Sequence, residues 1–123
     1  MREMRSLGFT DREVITAVLD LMRKTRQPLP SGQIRDISFY SDPVRAELLI
    51  EDDFGEKTTV HRNAAELAAS LVNYCLERRI RLPSHGRKFV ELIAGSLNVV
   101  VDLENAAPAP RSRRPAGRAA ARG

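Results

Sequence analysis

The 123-residue sequence is poor in several residues that mark secreted, membrane or metal-binding proteins. It has one cysteine and no tryptophan, and aromatic residues make up 5% of the chain. A single cysteine, Cys75, excludes an intrachain disulfide and favours a reducing compartment. No stretch approaches the roughly 18 apolar residues of a membrane-spanning helix, and the first residues lack a signal-peptide pattern. We therefore expect a cytoplasmic protein without membrane contact.

Groups for catalysis and metal binding are equally scarce. His61 and His85 are the only histidines, and they stand far apart in sequence from each other and from Cys75. The acidic segment 51–56 lacks the ligand order of a calcium loop, and it reads as a solvated turn. We expect no metal, no cofactor and no enzymatic activity.

Acidic residues are absent from the end of the chain. After Glu104 there are none, whereas five arginines follow, namely Arg111, Arg113, Arg114, Arg118 and Arg122. The formal charge of +4 therefore comes from the end of the chain, because residues 1–105 contain 15 basic and 16 acidic residues. The composition predicts one compact domain over residues 1–105 and a disordered Arg/Ala/Pro-rich tail over 106–123. A GC-rich genome alone can produce such an arginine excess.

The longest helical pattern begins at Asn63 and reaches Ile80. Asn63 and Glu66 have the spacing of a capping box. Apolar residues follow with helical periodicity, and they are Ala64, Leu67, Ala68, Leu71, Val72, Cys75, Leu76 and Ile80. Polar residues form only a narrow stripe, Glu66, Ser70, Asn73 and Glu77. An apolar arc this wide predicts a helix buried on two sides.

Small residues on this helix allow a close approach of another backbone. We select Ala65, Ala69, Val72 and Leu76 as the candidate interaction residues. The expected partner is a protein, with a second copy of the chain as the first candidate and a homodimer as the result. Packing within the chain's own core is the simpler alternative for the same pattern.

The remaining patterns predict one further helix and five strands. Thr10 and Glu13 form a capping box for a helix that begins at Asp11. Period-two patterns predict strands at Ile34–Tyr40, Val44–Glu51, Lys57–His61, Lys88–Ala94 and Leu97–Leu103. For the last two we expect a hairpin turn at Gly95-Ser96. The alternative for 87–94 is a helix that Gly95 ends.

The predicted register of this hairpin pairs Ala94 with Leu97, Leu92 with Val99 and Val90 with Val101. The resulting order is α-β-β-β-α-β-β. The fold class is therefore α+β, with an antiparallel sheet of four to five strands and both helices packed on one face.

Two functions remain open from sequence. The first is a non-catalytic interaction or regulatory module that acts by protein–protein binding, including self-association. The second is a nucleic-acid-associated protein, in which the tail arginines and Arg81, Arg87 and Lys88 after the long helix contact phosphates. No aromatic and basic strand pattern for base stacking accompanies these cations.

Overall fold

The computed structural model describes residues 3–103, so the predicted tail lies outside the described part. Eight elements follow one another in the order β-α-β-β-β-α-β-β. Their bounds are β1 Met4–Phe9, α1 Asp11–Lys24, β2 Gln33–Tyr40, β3 Arg45–Glu51, β4 Lys57–Asn63, α2 Ala64–Glu77, β5 Arg87–Ile93 and β6 Ser96–Asp102. The fold class α+β is confirmed.

The strands form two antiparallel sheets of three strands each, rather than the single sheet of four to five strands that the sequence predicted. We name them sheet I, with the order β1-β6-β5, and sheet II, with the order β2-β3-β4. The predicted order α-β-β-β-α-β-β is wrong because it omits β1. That strand contains Ser6 and Gly8, which weaken a strand pattern, and it pairs with β6, so that Phe9 lies opposite Leu97.

The second helix joins the two sheets into one core. α2 packs against α1 and also contacts β3 and β4 of sheet II and β5 and β6 of sheet I. Leu48 of sheet II, Leu67 and Leu71 of α2, and Leu97 of sheet I are fully buried. Within the described residues, neither helix is long and apolar enough to cross a membrane.

Both helices begin where their capping boxes predicted. The backbone N–H of Glu13 donates to Thr10 Oγ1 at 3.2 Å, and the backbone N–H of Thr10 donates to Glu13 Oε1 at 2.8 Å. Asn63 and Glu66 exchange the same two bonds at 2.8 and 2.9 Å. Each cap accepts hydrogen bonds from backbone N–H groups that have no partner within the helix. Four consecutive residues are therefore enough to predict each helix start. α2 ends at Glu77, three residues before the predicted end.

Sheet II is the antiparallel meander that the sequence indicated. Ala46, Leu48 and Ile50 of β3 are buried, as the period-two pattern predicted. Leu49, which interrupts that pattern, lies on the opposite face beside a register shift between Ile34 and Asp36 of β2.

The hairpin β5–β6 forms, and the alternative helix over 87–94 does not. The predicted register is wrong by two residues, because Leu92 pairs with Leu97 and Val90 with Val99. A shift of two keeps the same residues on the same face. The apolar face toward the helices is therefore as predicted, without Ala94.

The turn of this hairpin lies at Ala94-Gly95, one residue earlier than predicted. Both residues have positive φ, 52° and 82°, as a type I′ turn requires. This register pairs Glu91 with Asn98 and Phe89 with Val100. It thus places polar opposite polar and aromatic opposite β-branched, which the predicted register would not do.

Candidate interaction site

The four residues selected on the long helix form one line along the outer side of α2, which we name the α2 stripe: Ala65, Ala69, Val72 and Leu76. Ala65 and Ala69 are exposed and Val72 is half-buried. Leu76, in the last turn of α2, is 71% exposed. Ile80, beyond the helix end, extends the exposed apolar surface at 38%.

The helix is turned so that two of the four residues of its predicted polar stripe are buried. Ser70 and Asn73 are buried, and Ser70 Oγ donates to the Glu66 carbonyl at 2.8 Å. Asn73 Oδ1 accepts a 2.8 Å bond from Lys24 Nζ on α1. Within the single chain, Leu76 and Ile80 are the parts of the predicted apolar arc that stay exposed. The hydroxyl of Ser70 bonds within its own helix and Asn73 bonds a side chain of α1, so α1 can pack on this side.

An apolar groove runs beside the carboxyl-terminal half of the α2 stripe. It encloses about 260 Å³ between α2 and the segment that leads to β5. Its walls are Val72, Cys75, Leu76, Ile80, Leu82, Pro83, Ser84 and Lys88. Burial and, to a lesser extent, the charge of Glu13 raise the pKa of the Cys75 thiol, so this cysteine is a neutral wall residue. The groove offers apolar contact rather than chemistry.

The three predicted anion-binding residues of the folded part are not brought together. Arg87 begins β5, and its guanidinium lies 4.6 Å above the Phe89 ring on one face of sheet I. Lys88 lies on the other face, at the groove. Arg81 borders a different cavity next to β1. A shared phosphate site of these three cations is thus not formed, and anion binding stays a prediction for each separately. The five tail arginines lie outside the described residues.

The acidic segment between β3 and β4 is a turn. Asp52 Oδ1 accepts the backbone N–H groups of Phe54 and Glu56, each at 2.9 Å. Nowhere in residues 3–103 do three His, Cys, Asp or Glu side chains cluster as a metal site would require. Phe54 at the tip is 96% exposed.

The two histidines occupy separate places. His61 Nδ1 lies 3.3 Å from Glu47 Oε2, and Tyr40 donates its hydroxyl to Glu47 Oε1 at 3.3 Å. This Tyr-Glu-His group crosses all three strands of sheet II on its solvent face. Sequence reasoning missed it because strand register decides which residues of β2, β3 and β4 are neighbours. His85 lies at the cavity beside Arg81.

Comparison of the chain with protein-family models, with curated proteins and with solved structures gives no match.

Proposed function

We propose that the protein is a non-catalytic interaction module that binds a second copy of itself through the α2 stripe. The observation that supports this is the exposure of Leu76, at 71%, beside two exposed alanines on a helix whose other sides are packed. Contiguous exposed apolar surface is typical of protein-binding sites. An aliphatic anchor next to an apolar groove resembles the centre of an interface.

The order of small and large residues makes the stripe complementary to itself. When two α2 helices cross antiparallel about a point between Ser70 and Leu71, Ala65 lies opposite Leu76 of the second copy. Ala69 then lies opposite Val72 of that copy. Each small residue thus receives a large one, as close packing requires. A two-fold axis generates both contacts twice, because an isologous interface uses the same patch on both subunits.

The charges beside the stripe do not oppose this pairing. Glu66 lies 3.3 Å from Arg62, and Glu77 lies 3.8 Å from Lys24, measured between carboxylate oxygen and side-chain nitrogen. The carboxylates next to the stripe are therefore matched by cations of their own chain. Two such faces can meet without an excess of like charge, and the stripe itself contains no charged residue, as interface centres favour.

Sedimentation equilibrium of the full chain over a range of concentrations tests the proposal. We expect a monomer–dimer equilibrium that Leu76→Asp shifts to monomer. Ile93→Asp is the matched control, since Ile93 is also an exposed aliphatic residue, at 42%, but lies on the far face of sheet I. A wild-type chain that stays monomeric, or a dimer broken by Ile93→Asp and not by Leu76→Asp, would refute the proposed surface.

A further inference from the structure

A second recess lies on the helix-facing side of sheet I, where neither helix reaches the ends of β1 and β6. Its volume is about 480 Å³, and its walls are Glu3, Arg5, Arg81, Leu82, Pro83, His85 and Leu103. A volume of this size is typical of small-molecule sites. We name it the β1 cavity.

An adjoining recess of about 180 Å³ extends the β1 cavity over the sheet. It shares Arg5, Arg81, Leu82 and Pro83 with the first and adds Ser6, Leu7, Val99 and Val101. Val99 and Val101 are almost fully buried side chains of the central strand. The combined space therefore has an apolar floor at one end and two guanidinium groups at its rim.

The two arginines are incompletely paired. Arg5 lies 3.7 Å from Glu3, but both side chains are more than 60% exposed, at 67% and 61%, so water screens this pair. For Arg81, no carboxylate of residues 3–103 lies within the 4.0 Å of an ion pair. Arginine forks are suited to planar, two-point recognition of carboxylate and phosphate oxygens. The rim thus has unused donors for an oxyanion.

We propose that the β1 cavity binds a small amphipathic anion, an organic carboxylate or phosphate monoester. Arg81 and Arg5 hold its acid group, and its apolar body lies against Leu7 and Leu82, over the buried Val99 and Val101. The apolar floor distinguishes this ligand from a nucleic-acid backbone, which would need cations along an open surface. The four residues of the α2 stripe do not line this cavity, although Leu82 and Pro83 also line the groove beside the stripe. Binding of the anion does not require self-association.

Isothermal titration calorimetry of the full chain tests the ligand class with five probes. Octanoate and octyl phosphate carry both parts of the ligand and separate the two acid groups. Acetate and inorganic phosphate carry the head alone, and octylammonium carries the same body with the opposite charge. We expect one or both octyl anions to bind and the other three probes to bind at least tenfold more weakly.

Arg81→Gln should weaken binding of the octyl anion by roughly tenfold to hundredfold, since it removes charge-assisted hydrogen bonds. Arg81 is exposed and lies in the segment between α2 and β5, so Arg81→Gln should retain the fold. Arg81→Lys, which keeps the charge, should recover part of the lost affinity. The matched control is Arg12→Gln, an exposed arginine on α1 that borders none of the two recesses. It should bind as the wild type does.

Amide shifts in two-dimensional NMR locate the ligand. We expect octanoate or octyl phosphate to move the signals of Leu82, Val99 and Val101. The proposal is overturned if octylammonium binds as tightly as the octyl anions, or if Arg81→Gln keeps the wild-type affinity. It is overturned as well if Arg12→Gln loses as much affinity as Arg81→Gln, or if only the signals of other residues move.

Discussion

An exchange of residues between the two ends of the α2 stripe tests the antiparallel register itself. In the proposed dimer, position 65 faces position 76 of the second copy, so Leu76→Ala removes two large contacts and Ala65→Leu creates two collisions. Full burial of a leucine contributes about 1.5–3 kcal/mol, and Leu76 has 71% of its surface still to bury. Its loss should cost about 1–2 kcal/mol for each copy, or about 2–4 kcal/mol for each dimer.

This magnitude corresponds to a dissociation constant roughly 30 to 1,000 times higher for Leu76→Ala. Ala65→Leu should weaken the dimer as well, because an overpacked contact typically costs about 1–3 kcal/mol. The double variant Ala65→Leu/Leu76→Ala places large opposite small again and should regain most of the wild-type affinity. Both positions are exposed in the single chain, so folding stability should change by only about 0.5 kcal/mol.

Sedimentation equilibrium of the four proteins measures the coupling, and circular dichroism under urea confirms that each is folded. Additive weakening in the double variant, with no recovery, would refute the antiparallel register. A parallel pair would give that result, because it places Ala65 against Ala65 and Leu76 against Leu76.

Three further predictions concern the monomer. Leu71→Ala, at a fully buried position, should lower the unfolding free energy by about 2–5 kcal/mol in urea titrations, whereas Leu76→Ala should change it little. Asn63→Ala removes the cap of α2 and should cost about 0.5–2 kcal/mol in the same assay. Burial raises the pKa of the Cys75 thiol above its ordinary 9.0, so the unfolded chain loses this proton first as the pH rises. The contribution of this thiol to the free energy of unfolding is therefore constant below pH 9 and falls above it. This fall should be absent in Cys75→Ala.

Local signals identified most of the elements. The capping boxes at Thr10 and Asn63 located both helix starts because the bonds join residues three apart. Alternation located β3, and the apolar runs located β5 and β6. The turn at Ala94-Gly95 was missed by one residue, since Gly95-Ser96 is an equally acceptable turn sequence and only the cross-strand pairs decide between them.

Long-range pairing could not be read in the same way. β1 becomes a strand only through β6, and the six residues Met4–Phe9 contain too few β-formers to indicate it alone. The same pairing places Arg5 in the wall of the recess that Arg81 also lines, so the β1 cavity was beyond sequence reasoning. The candidate residues of α2 share one face of the helix, but the direction of that face depended on α1 packing against Asn73.

The pairing of β1 with β6 also affects how the chain folds as it is made. β1 leaves the ribosome well before its hydrogen-bonding partner, β6 at Ser96–Asp102. Sheet I therefore cannot form until β6 has been synthesised, whereas sheet II is a local meander that needs only residues 33–63. During translation, Leu7 and Phe9 of β1 have no partner strand until β6 is made, and a chaperone can bind them in that interval.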